Sequence, residues 1–231
     1  KQREKIAGID PAFSQYVEGY TSGVISKTSA IRVRLTSVSS TTHSLNEALK
    51  DPLFSFTPSV KGKAYWTDAR TIEFQPDEYL TPGQLYTVNF KLGKATEVPA
   101  AFSNFIFNVQ AVNTGIQITQ TGLKAEGNSK EKMILYGTLE TADLETPELV
   151  EKTLTVQYLN QSLPVRWEHN EKAKIHHFTV EGIRRDKSAS FLNLEWNGSP
   201  LHSNESGHQE IEIPALGDFT VLNIQAVQEA E

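Results

Sequence analysis

The stretch YLTPGQLYTVNF, residues 79–90, decides the fold. Pro82 fixes φ near −65° and Gly83 tolerates positive φ, so the Leu80-Thr-Pro-Gly83 segment suits a tight corner. From Tyr86 onward the side chains alternate, with Tyr86, Val88, Phe90 and Leu92 on one face and Thr87, Asn89 and Lys91 on the other. A Tyr leading the inward face has a buried ring and a hydroxyl that needs a partner. In a β-sandwich that partner is a backbone group a few residues upstream, an arrangement known as a tyrosine corner. Leu80, Pro82, Gly83 and Tyr86 are therefore expected to form a structural staple where the chain turns from one sheet to the next.

Strand signals surround this corner. IRVRL (31–35) alternates Ile31, Val33 and Leu35 with two Arg, the period-2 pattern of a half-buried strand. FSF (54–56), AYW (64–66), TIEF (71–74) and FIFNV (105–109) read likewise, separated by turn formers at Asp51-Pro52, Pro58-Ser59 and Lys61-Gly62. One segment, SLNEALK (44–50), has helical signs: Ser44 and Glu47 at capping-box spacing, and Leu45 with Leu49 four apart. It predicts one or two helical turns between strands.

Near Asn113 the first pattern ends and a second begins. GIQITQ (115–120), MILYGTLE (133–140), LTVQYL (154–159), PVRWE (164–168), HFTVEG (177–182), FLNLEW (191–196), QEIEIP (209–214) and FTVLNIQAV (219–227) all read as strands, with a short helix starting at Thr146-Pro147. The expected fold class is all-β, with two tandem immunoglobulin-like or macroglobulin-like β-sandwich domains at 1–112 and 113–231.

Composition agrees with two soluble domains in 231 residues. Residues 1–112 carry 12 Lys and Arg against 10 Asp and Glu, whereas 113–231 carry 10 against 18. An acidic second half argues against nucleic acid, which needs concentrated positive charge. No apolar run approaches the roughly 20 residues of a membrane-spanning helix. The opening residues KQREKIAGID are not a retained signal peptide. The chain has no Cys, so disulfides, thiolate zinc sites and thiol nucleophiles have no side chain to build on.

Read together, residues 54–90 resemble the bacterial immunoglobulin-like module that opens many alpha-2-macroglobulin-like proteins of the Bacteroidetes type. The resemblance rests on Phe56-x-Pro58-x-Val60-x-Gly62, Trp66, Phe74-x-Pro76 and Leu80-x-Pro82-Gly83-x-x-Tyr86-x-Val88, and extends over residues 15–110. The second half is similar to a macroglobulin-like sandwich chiefly in strand pattern and in IEIPALGDFTVLNIQAV (211–227). The resemblance implies a large exported protein that traps proteases with a cleavable bait and, in many members, a thioester, both lying far downstream. On that footing this chain is a non-catalytic N-terminal scaffold, not an enzyme, of the cell envelope, periplasm or outer membrane, lipid-anchored through a Cys upstream of Lys1. Its expected partners are downstream domains of the same polypeptide, target proteases met through the full-length protein, and other envelope proteins.

No G-x-S-x-G, P-loop or G-x-G-x-x-G motif is present, and no cofactor is expected. His176 and His177 project to opposite faces of a strand and cannot chelate one ion together. His202 and His208, with Glu205 and Glu210, sit in SPLHSNESGHQE (199–210), which reads as a solvated hairpin loop or a weak metal site, without zinc-motif spacing. Trp66, Trp167 and Trp196 read as sandwich core residues, or as a sugar-stacking platform. The alternative function is thus a cell-surface carbohydrate-binding or adhesion module.

Overall fold

The computed structural model describes residues 8–39, 43–170 and 174–218. The chain is all-β and divides into two compact units, Lys1–Asn113 and Thr114–Glu231. Among the described residues each unit holds two four-stranded sheets.

The first unit runs β1 (Val17–Tyr20), β2 (Gly23–Ile25), β3 (Ile31–Leu35), β4 (Phe54–Thr57), β5 (Gly62–Trp66), β6 (Thr71–Pro76), β7 (Leu85–Phe90) and β8 (Phe105–Ala111). One sheet has the order β1-β3-β6-β5 and the other β2-β8-β7-β4. All pairings are antiparallel except that β2 runs parallel to β8. Alternation explains why these segments are strands. In β3 the odd positions Ile31, Val33 and Leu35 are buried while Arg32 and Arg34 face outward, and β7 buries Tyr86, Val88 and Phe90. Each such fully buried side chain contributes about 1.5–3 kcal/mol from removed apolar surface. Rings thicken this core: Phe54 lies 4.9 Å from Phe90 and 5.7 Å from Phe74, and Phe56 lies 4.5 Å from Phe74.

The helix expected over 44–50 does not form. The segment instead bridges to the edge strand β5, Leu45 opposite Trp66 and Ala48 opposite Tyr65. The N–H groups of Asn46 and Leu49 donate to the carbonyls of Trp66 and Ala64, and Asn46 turns the chain at φ 58°. Weak helical propensity over two turns cannot hold against backbone bonds that cover an otherwise open sheet edge. At its far end the β7 pattern breaks after Phe90, and Leu92–Ala95 make a single helical turn, α1, that still buries Leu92 and Ala95.

The second unit runs β9 (Ile116–Ala125), β10 (Lys132–Thr141), α2 (Pro147–Val150), β11 (Leu154–Tyr158), β12 (Gln161–Leu163), β13 (Val165–His169), β14 (Ile175–Arg184), β15 (Ser190–Asn197) and β16 (Ser206–Ile213). Its sheets, β13-β14-β10-β9 and β12-β11-β15-β16, are antiparallel throughout. Leu123, Met133, Leu135, Phe178, Val180 and Ile183 of one sheet share a core with Leu154, Val156, Tyr158, Leu192, Leu194 and Ile211 of the other. Thr146 precedes α2 with Pro147 at its first turn, where the missing N–H costs nothing. The segment 219–227, expected as a strand, lies outside the described residues.

Two glycines mark where rings cross the backbone. A Cβ on Gly137 would lie 2.1 Å from the ring of Phe178, its direct cross-strand partner, and one on Gly207 would lie 2.4 Å from the indole of its partner Trp196. In each pair the aromatic ring covers the strand position that the glycine leaves bare.

Candidate functional site

The turn between β6 and β7 carries the chain from one sheet of the first unit to the other. Tyr86 is 4% exposed, and its hydroxyl accepts a hydrogen bond of 3.0 Å from the N–H of Thr81. Leu80 is buried at 3% and its N–H donates to the carbonyl of Lys27. Pro82 and Gly83 form the turn, closed by the N–H of Gln84 on the carbonyl of Thr81. Gly83 has φ 75°, a backbone conformation that disfavours any side chain, and a Cβ there would also have to displace the Asn113 side chain. The four residues thus join two sheets and a crossing loop through one buried ring and its hydroxyl.

The three Trp residues divide between the two units. Trp66 is 3% exposed in the first unit's core, with the ring of His43 stacked on it at 3.8 Å. Trp167 and Trp196 pack partly buried against the second unit's core. Trp196 also lines an open hollow of about 440 Å³ with Lys152, Thr155, Glu195, Asn197 and His208.

The residues of 199–210 do not converge. The loop is shorter than its sequence suggests, because β16 begins at Ser206. His202 ends a short turn at φ 57°, and its carbonyl accepts from the Thr114 hydroxyl. His208 lies opposite Glu195, Glu210 lies opposite Asn193, and the Glu205 carboxylate accepts from the N–H of Ile116. Among the described residues no group of three or more His, Cys, Asp or Glu could hold a metal ion, and no helix is long and apolar enough to cross a membrane.

Charge is concentrated on the outer face of β1, β3 and β6. Arg34 and Arg70 both reach Glu18, at 3.0 and 3.2 Å, and Arg32 reaches Glu73 at 2.6 Å. Asp68 accepts from the N–H groups of Arg70 and Thr71; the Arg70 bond foremost holds its carboxyl below the usual carboxylate range. Exposed pairs of this kind contribute at most about 1 kcal/mol each. Among the described residues of this face, Arg32, Arg34 and Arg70 are each paired with a carboxylate.

A grouping that sequence reading missed lies in the second unit. His169 and His176 face each other across β13 and β14, with Glu151 on the far side of His169. The signal was present in the spacing of the two residues, seven apart on either side of a hairpin, but the adjacent His176-His177 pair masked it.

No protein-family model and no curated protein matches the chain. Among solved structures it is similar to L,D-transpeptidase 3 from Mycobacterium tuberculosis in complex with a faropenem-derived adduct, at 10% identity and a TM-score of 0.31, covering 78% of this chain and 57% of that one. An L,D-transpeptidase from Mycobacterium tuberculosis H37Rv is similar at 11% identity and a TM-score of 0.31, covering 68% and 60%. The chain therefore spans less than two-thirds of either neighbour's length, and neither likeness bears on its activity.

Proposed function

We propose that this chain is the non-catalytic N-terminal scaffold of an exported, envelope-located, alpha-2-macroglobulin-like protease inhibitor. In this reading residues 1–112 are a bacterial immunoglobulin-like domain and 113–231 a macroglobulin-like one. Their partners are downstream domains of the same polypeptide, which carry the trapping of proteases. The observation that carries the reading is the Tyr86 corner: its hydroxyl reaches back to Thr81 across the turn made by Pro82 and Gly83, within the stretch whose residues carry the family resemblance. Further support is the use made of the large aromatic side chains. Phe90, Phe105 and Phe107 fill the core of the first unit and Phe178 that of the second.

A second reading, a glycan-binding module of the cell surface, draws on Trp196 at the rim of its polar hollow. Against it, the face of that indole already covers Gly207. Titrating the chain with a panel of glycans while following tryptophan emission separates the two. The scaffold reading expects emission unchanged by every glycan. A saturable change that disappears in Trp196→Phe would put the glycan-binding reading in its place.

A further inference from the structure

Strands β13 and β14 set His169 and His176 directly opposite one another, with their Nδ1 atoms 2.9 Å apart. At that distance one ring donates and the other accepts. Nε2 of His169 lies 3.2 Å from Glu151 Oε1. A carboxylate only accepts, so this nitrogen carries a proton. Neutral His169 therefore presents a lone pair at Nδ1, and the shared proton belongs to His176 Nδ1. Nε2 of His176 is then bare, and it is buried with no hydrogen-bond partner in a residue only 2% exposed.

One further proton can enter. His169 becomes an imidazolium held by Glu151 and flanked by the indole of Trp167, at 5.8 Å between ring centres. It donates from Nδ1, and His176 shifts to its Nε2–H form. A second added proton has no place in the closed pair, because it would set two N–H groups head to head and leave two adjacent positive charges.

We propose that the His169–His176 pair is an acid-sensitive seam of the second unit, which stays closed with at most one added proton and opens when both rings become charged. Among the described residues, the groups around His176 are committed elsewhere or face away from it. From β10 it meets Leu139, while Glu140 is exposed beside Ile175. From β13 it meets His169, while Glu168 lies on the other face, opposite His177. From the turn after α2 come Glu151, committed to His169, and the exposed Lys152. At the near end of β10, Asp143 accepts from the N–H of Leu144, and the Lys174 ammonium donates to the Ala142 carbonyl. Burial, then the charges of His169 and His177, pushes His176 below the ordinary histidine range, in accord with the geometry.

The direction with pH follows. Unfolded, both rings take up protons as pH falls below about 6.5. The closed unit binds fewer, so its stability is whole above that value and is lost as pH falls beneath it, about tenfold in the unfolding constant per pH unit and excluded proton. The experiment is urea unfolding of the whole chain, read from the amide signals of β10 and β14, at about pH 7.5 and about pH 5. The unfolding constant of the second unit is expected to rise about thirtyfold or more on acidification in the wild type and in His177→Gln, and less than about threefold in His176→Leu. Equal constants at both pH values in the wild type, or full sensitivity kept in His176→Leu, would overturn the proposal. Should His176→Leu fail to fold, the imidazole nitrogen spectrum of the wild type decides. The seam requires His176 in its Nδ1–H form near pH 7.5, and an Nε2–H form there contradicts it.

Discussion

Phe178→Ala is expected to destabilise the second unit by about 3–5 kcal/mol, read as a fall in the urea midpoint at unchanged slope. Phe178 is 1% exposed in the middle of β14, its ring lies across Gly137, and Trp167 packs against it with 5.5 Å between ring centres. Removing the ring takes away its transfer energy and also leaves a void. The neighbouring strands cannot collapse into that void, because backbone bonds to β10 and β13 fix their spacing. Gly137→Ala supplies the complementary test. Alone it drives a methyl into the ring and is expected to cost about 1–3 kcal/mol. Combined with Phe178→Ala, the methyl occupies emptied space, so the two losses should fall short of their sum. Simple additivity would mean that ring and glycine do not share the site as described.

Tyr86→Phe is expected to lower the stability of the first unit by about 1–3 kcal/mol. The substitution keeps the buried ring and removes only the oxygen that accepts from the N–H of Thr81. Thr81 is itself exposed, so water reaches the freed N–H in part and the loss falls toward the lower end of that range. The turn also loses the tie that fixes its approach to β7, so amide exchange at Thr81 and Gln84 should quicken more than exchange in the core of β7. A denaturation midpoint unmoved by the substitution would show that the hydroxyl does not hold the corner.

Much of this architecture was legible because a strand with one buried face writes that face into its sequence. IRVRL and LTVQY alternate without a break, and both are strands with alternating burial. The corner was legible too, since Pro82, Gly83 and Tyr86 act on one another over a few residues. What escaped was set by partners distant in sequence. VEGY, GVI and QSL are too short to show a period, and become strands only by pairing with β3, β8 and β11. SLNEALK carries sound local helix signals that the open edge of β5 overrides. The facing histidines depend on the register of β13 against β14, which a one-residue slip would abolish.

The same division of labour between local pattern and distant pairing applies to Tyr158. Its alternation within LTVQY marked it as inward-facing. Its hydroxyl donates to the carbonyl of Arg184 and pairs with Ser190 Oγ at 2.9 Å, tying β11 of one sheet to the end of β14 in the other. Beyond it, the Arg185 guanidinium collects the carbonyls of Pro214, Ala215 and Asp218. Each unit thus uses a tyrosine hydroxyl on a backbone group, Tyr86 on the turn between β6 and β7 and Tyr158 on the end of β14.

The scaffold assignment is tested most directly by a trapping assay on the entire polypeptide that contains this chain. A protease would be incubated with it, then assayed on a large protein substrate and on a short chromogenic peptide. A trap shields the bound protease from large substrates only, so protein cleavage should fall while peptide cleavage persists, and the 231-residue chain alone should alter neither. Undiminished protein cleavage with the entire polypeptide, or inhibition by the isolated chain, would contradict the assignment.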